Sequence, residues 1–95
     1  MSIEQTPTEL LDYTINWPAR GLPNGATISS QTLVASDVSV ILSNQAIITS
    51  GTQTQFFLTG GVAGNIYQIT NEITLSTGQK MDFTVNYNCI AKRQI

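Results

Sequence analysis

The sequence predicts an all-β domain, an antiparallel sandwich of about seven short strands. Two observations carry this prediction. Threonine, which favours strands, occurs 13 times in 95 residues, whereas the helix formers Ala, Leu, Glu and Lys are scarce. Short runs of alternating apolar and polar residues also recur along the chain, and clusters of Gly, Pro, Asn and Ser separate them as turns.

The first strand is predicted at residues 11–17, where apolar and polar residues alternate at every step and Pro18 ends the run. The remaining strands are predicted at residues 26–35, 38–42, 46–49, 53–58, 66–76 and 80–91. Alternation places the odd-numbered residues of the first strand, from Leu11 to Trp17, on the inward face. The predicted core contains Tyr13, Ile15, Trp17, Ile69, Phe83 and Val85.

The chain has the length of one domain, and its two ends lack the pattern of strands. Residues 1–10 show no period and contain Pro7, so we expect either a frayed end or an extended arm that orders on a neighbouring subunit. The domain proper is predicted at residues 11–91, and residues 92–95 form a short C-terminal tail.

The composition excludes most kinds of chemistry. The chain has no histidine, so it lacks the usual general base, and its one cysteine, Cys89, can form neither an intrachain disulfide nor a cysteine zinc site. The net charge of −2 and the four scattered basic residues argue against nucleic acid. No apolar run is long enough to span a membrane, and no signal peptide is visible. We therefore expect no catalytic site, cofactor, metal or small-molecule substrate.

A glycine-rich segment before the sixth predicted strand refines the fold class. Leu58, Gly60, Gly64 and Tyr67 follow the pattern of a tyrosine corner, in which a tyrosine hydroxyl bonds back to the backbone of a loop between two sheets. This corner is typical of immunoglobulin-like and fibronectin type III-like sandwiches. The sequence thus predicts that Tyr67 is a structural tether.

Taken together, these segments resemble a small family of tailed-bacteriophage proteins, the phage fiber-tail adaptor proteins. The resemblance covers about residues 10–90 and includes the first strand, the corner L-x-G-G-x-x-G-x-x-Y and the segment Thr74-Leu75-Ser76-Thr77-Gly78 of the final hairpin. It implies a non-enzymatic virion protein, assembled in the host bacterial cytoplasm, that links tail fibres or neck components to the portal or head–tail connector. The resemblance also implies several copies arranged in a ring.

Two alternatives remain open from the sequence. A capsid decoration protein would have the same composition and fold but would cover the shell. A carbohydrate-binding module belongs to a different functional class and requires an exposed platform of aromatic side chains, which the inward registers of the tyrosines and Trp17 do not favour.

Overall fold

The computed structural model describes residues 2–93 and consists of two packed β-sheets. The strands are β1 (Ser2–Gln5), β2 (Leu11–Asn16), β3 (Ile28–Ala35), β4 (Val40–Ile48), β5 (Gln53–Gly60), β6 (Ile66–Leu75) and β7 (Lys80–Cys89). A single 3₁₀ turn, Trp17–Arg20, begins at the residue before Pro18. The predicted all-β sandwich of seven strands is confirmed.

The sheet topology is that of an immunoglobulin-like sandwich. One sheet has the strand order β2-β5-β4 and the other has the order β1-β7-β6-β3. In immunoglobulin lettering, the first corresponds to strands B, E and D, and β3, β6 and β7 correspond to C, F and G. All pairs are antiparallel except one, because β1 lies parallel to β7, with Ser2 opposite Asn86.

The N-terminal segment differs from its prediction. Instead of an extended arm at residues 1–10, the described part of this segment forms β1 and a turn within the same chain. Ile3 and Gln5 are almost completely buried because they face the core from the edge of β7. Met1 lies outside the described residues.

The two short strands predicted at residues 38–42 and 46–49 form the single strand β4. Its pairing with β5 shifts register between Ser43 and Ala46, and Asn44 adopts a left-handed backbone with φ of 49°. The polar residues between the two predicted strands therefore form a β-bulge, which bends the strand without reversing it.

The predicted core residues fall into two groups. Ile15, Trp17, Ile69 and Val85 are at most 2% exposed, whereas Tyr13 and Phe83 are partly buried and pack against the core. Leu11, predicted to face inward, is exposed because it begins the edge strand β2.

A chain of buried and half-buried polar side chains crosses the core between the sheets. The indole N–H of Trp17 donates to the Thr54 hydroxyl (2.9 Å), which donates to the Asn71 amide oxygen (2.7 Å). The Asn71 Nδ2 donates to Gln31 Oε1 (3.1 Å), and the Gln31 amide donates to the Ala46 carbonyl (2.9 Å). Asn71, a fully buried polar residue on the otherwise apolar inner face of β6, thus ties β5 to β6 and fixes how the sheets align.

Candidate functional site

The tyrosine corner lies between β5 and β6, and Tyr67 is the second residue of β6. Its hydroxyl accepts the backbone N–H of Val62 at 2.8 Å, and the Asn65 side-chain amide lies 3.4 Å away. Hydrogen bonding from the Asn65 side chain stabilises the phenolate and is the largest cause that lowers the pKa of Tyr67 from its ordinary value. These contacts support the hypothesis that Tyr67 acts as a tether.

The corner depends on glycine at a position where three segments meet. Gly60 has φ of +89°, and a Cβ at this position would collide with the backbone carbonyl of Ser39. The Gly60 N–H donates to the Pro7 carbonyl (3.1 Å), and the N–H of Gly61 donates to the Ser39 carbonyl (2.9 Å). Gly64, by contrast, has φ of +93° with open space around it. Only the first of the two predicted corner glycines is therefore needed for close packing.

A second tyrosine supports the corner and was not predicted as part of it. Tyr87, in β7, is completely buried, and its hydroxyl donates to the Gly60 carbonyl at 2.8 Å. Its ring lies against that of Tyr67, with the centroids 5.8 Å apart. Burial is the main cause that raises the pKa of Tyr87. Leu58, the remaining predicted corner residue, is fully buried. The alternation of β7 predicted that Tyr87 faces inward, but not what it would contact.

The N-terminal segment joins the corner through a buried polar side chain. The Gln5 amide nitrogen donates to the carbonyls of Leu58 (2.6 Å) and Glu9 (2.9 Å), and its oxygen accepts the Tyr13 hydroxyl (2.8 Å). Since Gln5 lies in one sheet and Leu58 in the other, this one side chain bridges the sandwich.

The described part of the C-terminal tail is tied to the same region. Arg93 Nε donates to Glu9 Oε2 at 2.7 Å, and its Nη2 lies 3.3 Å from the Glu4 carbonyl. The pKa of Glu9 is lowered, chiefly by this hydrogen bond from Arg93. Gln94 and Ile95, which complete the predicted tail, lie outside the described residues.

We call the segments gathered here the corner end of the sandwich: residues 6–10, 36–39, 61–65 and 90–93. Large apolar side chains are exposed at or next to this end: Leu10, Val38, Val62 and Ile66. Val38 is 99% exposed, and Ile66 is 70% exposed. Exposed apolar side chains grouped in this way are typical of a surface that contacts another macromolecule.

A comparison with protein families identifies the family of the chain. The model of the family Gp77, described as podophage GP4 fiber-tail adaptor protein gp77, matches residues 5–87. The chain belongs to this fiber-tail adaptor family. The match runs from β1 to β7 and includes the whole tyrosine corner. No curated protein matches the chain. The family resemblance drawn from the sequence is confirmed, and it indicates a structural component of the phage virion.

Among the described residues, the acidic side chains of the strands are not gathered at one place. Glu72 and Asp82 lie opposite each other on the outer face of one sheet, whereas Asp12 belongs to the other sheet. Within residues 2–93, no group of three or more His, Cys, Asp or Glu is placed to hold a metal ion. Cys89 is buried with its sulfur 3.3 Å from the Tyr87 hydroxyl.

None of the helices in the described part of the chain is long and apolar enough to cross a bilayer.

Proposed function

We propose that this protein links tail fibres or neck components to the portal or head–tail connector of a podophage, as a non-enzymatic part of the virion. The observation that carries the proposal is the family match over residues 5–87. The surface supports it, because the corner end combines exposed apolar side chains with a backbone held by Tyr67 and Tyr87. A rigid apolar surface binds a partner at low entropic cost.

The proposal includes several copies arranged in a ring at the neck of the particle, assembled in the cytoplasm of the host bacterium. A domain of this size offers each partner only a small contact area. Several copies held in one ring would raise the effective concentration of each contact, so that individually weak contacts produce firm attachment.

The carbohydrate-binding alternative lacks support on the surface. Every aromatic side chain is buried or half-buried. A sugar-stacking platform requires exposed rings. Near the corner, the ring of Tyr13 packs against that of Phe56, and the ring of Tyr67 packs against that of Tyr87.

The test is a phage that lacks this protein, complemented by the wild-type chain supplied in the host. Electron microscopy of purified particles should show DNA-filled heads without tail fibres, and complementation should restore the fibres. Quantitative gel analysis should show far fewer copies of this protein than of the shell protein. Particles that retain their fibres but have fragile shells, with this protein as abundant as the shell protein, would instead establish the decoration alternative.

A further inference from the structure

The sandwich has four edge strands, and they differ in how well they are protected against pairing with another chain. β1 has only four residues and carries Glu4, β2 carries Asp12, and β4 is bent by its bulge. β3 has eight residues and contains neither a charged residue nor proline. Edge strands are normally blunted by short length, charge, proline or bulges. Apart from an irregularity near its start at Ser30, β3 lacks these features.

The hydrogen-bond pattern shows which backbone groups of β3 face its open side. Val34 lies opposite Thr70 in the sheet. Two residues further along, the N–H of Ser36 donates to the carbonyl of Gln68 at 2.9 Å. Antiparallel strands alternate, so every second residue directs its N–H and C=O to the partner strand. The backbone groups of Val34 therefore point to β6, and those of Leu33 and Ala35 point to the open edge.

A groove runs beside this half of β3, between it and β4. It has a volume of about 410 Å³, and its lining is mostly apolar: Leu33, Val34, Ala35, Ser36, Asp37, Val38, Val40, Leu42 and Gln45. The hydrogen bond from Gln31 to the Ala46 carbonyl closes the gap between the two strands nearer the middle of the sandwich. Beyond this bond, toward the C-terminal end of β3, the groove is open. Two of its lining residues, Val34 and Val38, are 56% and 99% exposed.

We propose that β3 is a docking edge: an extended segment of a partner protein adds to β3 as a further strand and inserts alternate apolar side chains into the groove. Addition of a strand to an open sheet edge uses backbone hydrogen bonds for affinity and side-chain pockets for specificity. We take the partner to be a structural protein of the same virion, and only this identity rests on the proposed adaptor function.

Charge limits the sequence of that segment. The only charged residue in the groove is Asp37, whose carboxylate accepts the Ser39 N–H at 2.8 Å. The partner segment is therefore uncharged along its middle, where it meets Leu33 and Val34, and carries lysine or arginine at the end that reaches Asp37. A single added strand makes a small interface, below about 1,200 Å², so the contact is weak in one copy and firm only in an array.

The test uses the full chain, labelled with ¹⁵N, and a synthetic peptide in which three threonine–valine repeats are flanked by lysine. Titration should shift the amide signals of Leu33 and Ala35 and slow their hydrogen exchange, with little change in the exchange of Val34. Val34→Lys and Val38→Lys should each weaken peptide binding about tenfold or more. Ile41→Lys is the matched control, because Ile41 is 55% exposed, close to the 56% of Val34, but does not line the groove.

Three results would overturn the proposal. The peptide could protect amides of β1, β2 or β4 instead of β3, or Ile41→Lys could weaken binding as much as Val34→Lys. The third is a concentration-dependent dimer of the free protein that Val34→Lys dissociates, which would make a second copy the occupant. Dispersed spectra of each variant confirm that it is folded. Because the peptide assay needs no virion, its failure leaves the fibre-attachment test of the adaptor function unaffected.

Discussion

The two ends of the sandwich differ in whether their apolar side chains are covered by other residues or exposed to solvent. The end opposite the corner contains the turns at residues 21–27, 49–52 and 76–79. There, the side chains of Trp17 and Arg20 pack against the half-buried ring of Phe83. The Trp17 and Phe83 rings lie nearly perpendicular, at 80°, with their centroids 6.4 Å apart, and the Arg20 guanidinium lies 4.4 Å from the centroid of the Phe83 ring. At the corner end, Val38, Val62 and Ile66 extend into solvent.

This difference indicates which end is completed within the chain and which is left for a partner. Both ends join neighbouring loops by backbone hydrogen bonds, for example Gly61 to Ser39 at the corner end and Ser76 to Thr27 at the opposite end. Order alone therefore does not distinguish the two ends. The corner end combines the same degree of order with exposed apolar side chains, as a preformed binding surface requires.

The largest expected effect comes from replacing the corner glycine. Gly60→Ala would place a Cβ against the Ser39 carbonyl at a positive φ of +89°, so either the corner or the residues after β3 must move. We expect the free energy of unfolding to fall by about 3 kcal/mol or more. Chemical denaturation monitored by circular dichroism measures this loss.

Gly78→Ala is the control at the opposite end. Gly78 has φ of +90° but nothing within 4 Å of an added Cβ, so only the left-handed backbone is penalised, by about 1–2 kcal/mol. Equal losses for the two variants would show that the corner glycine is not packed against Ser39 and would remove this distinction between the ends.

The parts of the fold that the sequence predicted are those encoded locally. The strand alternation of β6 and β7 and the corner spacing from Gly60 to Tyr67 lie within short windows, where period and turn chemistry are visible. β1 could not be found in this way. It has four residues, too few to establish a period, and its partner is distant in sequence, since Ser2 pairs with Asn86.

The candidate site was only partly predictable for a related reason. Gln5 lies in a segment without periodicity, and Asn71 is a polar residue among the alternating apolar residues of β6, yet both are completely buried. Their partners, Leu58 and Thr54, belong to the opposite sheet, so the bonds become visible only after the sheets are packed. Likewise, the polar cluster around Asn44 has the composition of a turn, and only pairing with β5 reveals a bulge.

A smaller effect tests the tether itself. Tyr67→Phe removes the acceptor of the Val62 N–H, which lies 2.8 Å from the hydroxyl. We expect a loss of about 1–2 kcal/mol in the free energy of unfolding, and faster hydrogen exchange at Val62. Thr77→Val also removes one hydroxyl, but at an exposed turn where it bonds only to Gln79 (2.9 Å), and should cost less than about 0.5 kcal/mol. A loss in Tyr67→Phe as small as that in Thr77→Val would contradict the structural role of the corner.

The smallest effect concerns the ion pair that holds the chain termini at the corner end. Arg93 lowers the pKa of Glu9 from its ordinary value of 4.5, so the folded state favours the ionised carboxylate more than the unfolded state does. The stability from this pair is therefore fully present above the ordinary pKa and is lost as the pH falls through the lowered value. In Arg93→Gln, an NMR titration should show the Glu9 pKa return toward 4.5.

Asp37 provides an internal control in the same titration. Its pKa is lowered mainly by the backbone N–H of Ser39, so it should stay low in Arg93→Gln. Salt should raise the Glu9 pKa in the wild-type protein, because both side chains of the pair are partly exposed and their attraction is screened. If the Glu9 pKa is the same in both proteins, Arg93 does not hold the C-terminal segment against the turn at residues 6–9. The corner end would then consist of the first three of its four segments, still joined by Gly60 and Gly61.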